Sequence, residues 1–186
     1  MSTFINTLKN KISFFTMALL LSITLVQCSK DDEPEVINEE EEITTVELIV
    51  QKEGGTATTL TYEDGGSIPT ITLDANSTYN VSISFLNKSN PDDIENITEE
   101  VIEEVDEHQI FYEIQGSNVT IASASDDISD SSGNPLMLST DWTTGAANTG
   151  TVQVYLIHEP VTKTGSTRED FVGSTDIQVP YPITIQ

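Results

Sequence analysis

From residue 45 to the C-terminus the apolar residues recur at every second position, a spacing that an extended strand gathers onto one face. The clearest run is Tyr79, Val81, Ile83 and Phe85, with Asn80, Ser82 and Ser84 between them. Val46, Leu48 and Val50 repeat the pattern, as do Ile177, Val179, Tyr181, Ile183 and Ile185. Ile71 with Leu73, Val119 with Ile121, and residues 108–114 predict further short strands. Gly54-Gly55 turns the first strand back into the Thr-rich stretch 56–62, and Glu63-Asp64-Gly65-Gly66 breaks the chain again. Residues 136–142 and 151–158 flank a glycine-bounded turn from Gly145 to Gly150, which predicts a second hairpin. Pro180 and Pro182 share the outward parity of the last strand; neither can donate a ladder hydrogen bond, so that strand is expected at a sheet edge.

One segment carries a different period. Ile97, Val101, Ile102 and Val105 fall on one side of a helix between residues 96 and 108. Asn96 with Glu99 has the form of a capping box. Glu99, Glu100, Glu103, Glu104, Asp106 and Glu107 cover the other side. The last two would sit at the helix C-terminus, where the dipole disfavours anions, so the strand from His108 should start at once. About eight or nine short strands, one inserted acidic helix and no βαβ alternation predict a mainly β chain with a single Ig-like β-sandwich domain.

Charge decides what such a domain can meet. Against 31 acidic side chains stand 7 basic ones, a net charge of −24. That balance repels a phosphate backbone and excludes nucleic acid as a partner. The acids are unevenly spread: eight lie within residues 31–42 and nine between Asp92 and Glu107. The first group cannot bury apolar area and predicts a disordered tether; residues 29–44 as a coil would span roughly 20 Å.

Ahead of the tether, Lys9 and Lys11 precede the mostly apolar stretch 12–26, which is shorter than the roughly 20 residues a membrane span needs. A basic start and a short apolar run are the pattern of a signal peptide, placed at residues 1–27. The run ends in Leu25-Val26-Gln27-Cys28, and Cys28 is the only cysteine, so no intramolecular disulfide exists. This ending resembles a bacterial lipobox, with Gln27 where a small residue is usual. The resemblance implies a diacylglycerol on Cys28 that anchors the chain in outer-membrane lipid. Lys30, Asp31, Asp32 and Glu33 then resemble the lysine-plus-acids signal that sends Bacteroidota lipoproteins to the outer face of the outer membrane. The implied location is the cell exterior, with the periplasmic face as the alternative. The expected organisation is a signal peptide (1–27), a lipidated cysteine and acidic tether (28–44) and a β-sandwich (45–186).

Catalytic signatures are lacking in the sequence. There is no Gly-x-Ser-x-Gly and no phosphate-cradling glycine loop followed by Lys-Ser/Thr, and the one thiol belongs to the lipobox. A non-catalytic binding protein is therefore expected. Two places offer cation chemistry. His108 follows Asp106 and Glu107, and His158 precedes Glu159; imidazole with carboxylate suits Zn²⁺. The alternative is that each histidine satisfies a backbone group or packs a strand end. The second place is the loop containing Asp126, Asp127 and Asp130, whose oxygens suit Ca²⁺, although Ile128 interrupts the alternation of an EF-hand. A solvated acidic turn is the competing reading. Trp142 is either core or a platform for a sugar ring.

Several segments carry a wider likeness: Ile97-Thr98-Glu99-Glu100, the stretch from Asp106 to Tyr112, Gly133-Asn134-Pro135-Leu136, Trp142-Thr143-Thr144-Gly145 and Leu156-Ile157-His158-Glu159-Pro160. In these the chain resembles the small acidic outer-membrane lipoproteins of Flavobacteria-type Bacteroidota. Such proteins often carry a "type 1 periplasmic binding fold" label, but that fold needs two α/β lobes and this chain is too short and too rich in β patterning. The resemblance implies company with TonB-dependent receptors and capture of a metal ion or small nutrient. The alternative is an interaction, adhesion or glycan-binding sandwich with no metal role, meeting its partner through the strand that ends the chain.

Overall fold

Nine strands form two sheets in a computed structural model that describes residues 42–186. The expected signal peptide, Cys28, the Lys30, Asp31, Asp32 and Glu33 signal and the tether up to residue 41 lie outside the described residues. The strands are β1 (Thr45–Lys52), β2 (Ala57–Glu63), β3 (Ile71–Leu73), β4 (Thr78–Leu86), β5 (His108–Gln115), β6 (Val119–Ser123), β7 (Ser139–Thr144), β8 (Asn148–His158) and β9 (Ser174–Ile185). One sheet has the order β2-β1-β4-β7-β6 and the other β3-β9-β8-β5. All neighbours run antiparallel except β3 and β9. Helix α1 covers Ile97–Glu103, and a single turn, α2, covers Arg168–Phe171.

The period-two residues meet between the sheets. Val46, Leu48, Tyr79, Val81, Ile83, Phe85 and Trp142 come from one side, and Ile110, Val152, Val154, Leu156, Val179, Tyr181 and Ile183 from the other; all are buried. Burial of such apolar area is the main stabilising term of the fold. Trp142 is 0 % exposed and belongs to this core rather than to any sugar platform. Its Nε1 donates to Thr140 Oγ1 at 2.9 Å, and its ring meets Tyr112 edge-on with centroids 5.9 Å apart. Helix α1 is fastened to β4 by Thr98, whose Oγ1 accepts from Phe85 N at 2.8 Å and donates to Phe85 O at 3.1 Å.

Three local expectations are corrected. β7 and β8 are not a hairpin: they belong to different sheets, and residues 145–147 carry the chain across. The β5–β6 connection crosses at the same end. Side chains replace the missing ladder there, since Asn118 N donates to Asn148 Oδ1 at 3.1 Å and Asn148 Nδ2 donates to Gly116 O at 2.8 Å. Gly150, near the start of β8, lets the β5–β6 connection pass close by; a Cβ there would lie 2.5 Å from Gln115 O and 2.6 Å from Ser117 N. The last strand is an edge over only part of its length. β9 pairs with β8 throughout, and its residues Ile183–Ile185 are flanked by β3 as well. Pro180 and Pro182 stand just before that stretch, on the side β3 does not reach, so their missing N–H groups cost no ladder bond. Finally, Asn96 makes no side-chain cap on α1; its Nδ2 donates to Glu99 Oε1 at 2.8 Å instead.

Candidate metal centre

β5 begins at His108, after the four-residue turn 104–107 that follows α1, and β8 ends at His158. The antiparallel register places the two histidines directly opposite each other, although 50 positions separate them in sequence. Both share the inward parity of Ile110 and Leu156, so they close one end of the core. Their rings lie nearly parallel, 13° between planes and 4.9 Å between centroids. His108 is 0 % exposed, and its Nδ1 stands 3.2 Å from Glu104 O. A carbonyl only accepts, so Nδ1 carries the proton in this contact.

The third group comes from β9. The β8–β9 ladder pairs Leu156 with Ile177 and Ile157 with Thr175, which leaves Asp176 as the extra residue of a bulge. Bulges re-aim side chains; this one lets the Asp176 carboxylate reach the two imidazoles. The approach to the bulge is held by Arg168, whose guanidinium donates to the carbonyls of Val172 at 2.5 Å, Gly173 at 3.0 Å and Ser174 at 3.0 Å, and to Thr175 Oγ1. Val172 has φ +58°, a strained value for a β-branched residue, and Glu159 has φ +48°. Gly173 passes so close beneath β8 that a Cβ would lie 2.5 Å from His158 O and 2.9 Å from Glu159 O.

One ligand atom each from His108, His158 and Asp176 lie within 4.8 Å of one another. His108 Nε2 and both Asp176 oxygens are closed off from solvent. A second group, Glu107, His158 and Glu159, meets the same distance limit at the surface and shares His158 with the first. There Glu107 Oε2 stands 3.9 Å from His158 Nε2, and Glu159 N–H donates to Glu107 O at 2.7 Å. Two imidazoles and a carboxylate suit Zn²⁺ and its first-row neighbours, not Ca²⁺, which takes six to eight oxygens. Tetrahedral Zn²⁺ sets its ligand atoms about 3.3 Å apart, inside the 4.8 Å limit that the inner three meet. Parallel rings cannot both aim a nitrogen at one ion, so one ring must turn. His158 has that freedom: it is 13 % exposed at a strand end, whereas His108 is pinned to Glu104.

The remaining candidate residues lie elsewhere. Asp106 joins neither group; its Oδ1 accepts from Ser131 N at 2.7 Å. The expected Ca²⁺ carboxylates are occupied by protein donors, and none belongs to either ligand-atom group. Asp126 accepts from Ser139 Oγ at 2.9 Å. Asp127 accepts from the backbone N–H groups of Met137, Leu138 and Ser139 at 2.8, 2.9 and 3.0 Å, and from Ser123 Oγ. Asp130 accepts from Asn134 Nδ2 and from the N–H groups of Asn134 and Ser132, with Lys163 Nζ 3.5 Å away. The Asn134 amide, joined by those N–H groups and by Lys163, pulls the Asp130 carboxyl down to about 2. This loop is braced by its acids.

Asp176 was not among the residues singled out from the sequence, because the alternation that marks β9 begins one residue later. Nor was α2, although Thr167 followed by Asp170 has the capping-box spacing. There the Asp170 carboxylate accepts from Ser166 N at 2.8 Å and Thr167 N at 2.9 Å. No protein-family model, no curated protein and no solved structure matches the chain.

Proposed function

We propose that this chain is a lipid-anchored, surface-exposed binding protein that captures a transition-metal ion such as Zn²⁺ through His108, His158 and Asp176. The observation that carries the reading is the register of β5 on β8, which sets His108 opposite His158 with the Asp176 bulge alongside. A catalytic zinc keeps one position open to substrate. Here the inner nitrogen and oxygens are shielded from solvent, which favours holding an ion over transforming a substrate. The Cys28 lipobox supports anchoring in the outer membrane, and the resemblance to Flavobacteria-type lipoproteins supports a TonB-dependent receptor as the recipient of the ion. Equilibrium dialysis of residues 29–186, which contain both sheets and the whole core, tests the reading. Zn²⁺ should bind with Kd below about 10 μM, and the His108→Ala/His158→Ala variant should not bind at that level. Equal binding by the two proteins ends the proposal. Of the rival interaction module, the best-supported edge is β2, which pairs only with β1 and is largely exposed.

A further inference from the structure

Because the inner ligand atoms are closed to solvent, an ion must pass something to reach them. Of the three inner residues, His108 is fully buried, and His158 keeps a 13 % exposed side chain at the end of its strand. Directly outside it stand Glu107, whose side chain is 59 % exposed, and Glu159. Their placement is fixed by the backbone: Glu159 N–H is bonded to Glu107 O, and Glu159 holds its positive φ against Gly173.

Resting on the metal-capture reading above, we propose that Glu107, His158 and Glu159 form a loading position for the inner site, with His158 the ligand common to both. A divalent cation arrives hydrated and gives up its waters stepwise. Two carboxylates raise its concentration at the mouth and replace part of its hydration shell. Turning the His158 ring from the Glu107 side toward His108 then carries the ion inward. The ring turn that the inner geometry requires is the same movement that empties the outer position, so one residue couples capture to storage.

Stopped-flow mixing of residues 29–186 with Co²⁺, whose visible absorption intensifies in tetrahedral coordination, reads the loading rate directly. Glu107→Gln/Glu159→Gln should slow both association and dissociation about 10-fold and leave Kd within about 3-fold, since a path controls rates and not equilibrium. Asp92→Asn/Asp93→Asn removes the same charge from exposed positions outside both ligand-atom groups and should leave the rates within about 2-fold. Unchanged rates in the Glu107/Glu159 variant overturn the loading position. A Kd that rises as association slows, with dissociation not slowed, also overturns it, because the two carboxylates would then be ordinary ligands of a single site. Failure of the unaltered protein to take up Co²⁺ or Zn²⁺ removes the metal centre itself, an outcome distinct from either.

Discussion

Two acid-rich corners of this sandwich look alike in sequence and differ in what faces the acids. In the loop from Asp126 to Asp130, the carboxylate oxygens meet N–H and O–H donors: Asp127 collects three successive backbone amides and a hydroxyl, and Asp130 an asparagine side chain and two amides. At the histidine corner, imidazole nitrogens and carboxylate oxygens from three strands converge within one small volume. The first arrangement is complete as a protein structure. The second brings together donor atoms of the kinds that bind a transition-metal cation. An acidic residue is therefore better judged by its opposite partner than by the number of acids beside it.

The contrast is broken most directly by exchanging the lesions. His108→Ala/His158→Ala should weaken Zn²⁺ binding at least 1000-fold, about 4 kcal/mol, while Asp126→Asn/Asp130→Asn leaves it unchanged by isothermal titration. Zn²⁺ affinity that falls with the loop variant would place the ion in the wrong corner. The reverse holds for stability. Asp127→Ala strands three neighbouring amides and should lower unfolding free energy by about 3 kcal/mol in urea titrations, with or without metal.

Acid pH sharpens the same comparison. The Asp130 carboxyl is held below its ordinary value, so its stabilising share is fully present above the unfolded value near 3.8 and is lost as pH falls through about 2. NMR signals of Asn134 and Ser132 should therefore shift between about pH 4 and pH 2, and Asp130→Asn should abolish that transition. The smallest effect concerns a single atom. The Tyr181 hydroxyl is buried without a hydrogen-bond partner among the described residues. Tyr181→Phe should raise stability by about 1 kcal/mol, measured as a higher urea midpoint with unchanged slope.

Much of this was legible in the sequence, and the exceptions share a cause. The strands were readable because their alternation is local, whereas Trp142 could be read as core or as a sugar platform until its burial decided it. The histidines were readable as candidates from their flanking acids, Glu107 and Glu159, both of which stand in the outer group. Their pairing was not, because register across 50 residues is set by the whole sheet. Asp176 was hidden because a bulge suspends the parity that makes strands readable. The supposed hairpin between β7 and β8 failed for a related reason: a Gly-rich turn fixes a change of direction but not the sheet that the next strand joins. The partners of Asp106 and of Asp126, Asp127 and Asp130 were not readable, because an amide donor leaves no mark in composition.

The position of β9 at the end of the chain carries a consequence for the order of events in the protein's making. Asp176 and three of the seven core residues named above on its side of the sandwich lie within residues 174–186, and β3 joins its sheet through Ile183–Ile185. A chain made N-terminus first therefore holds both histidines before Asp176 can join them. On the proposed reading, affinity for an ion would follow the docking of β9, and a molecule still lacking that strand would hold none.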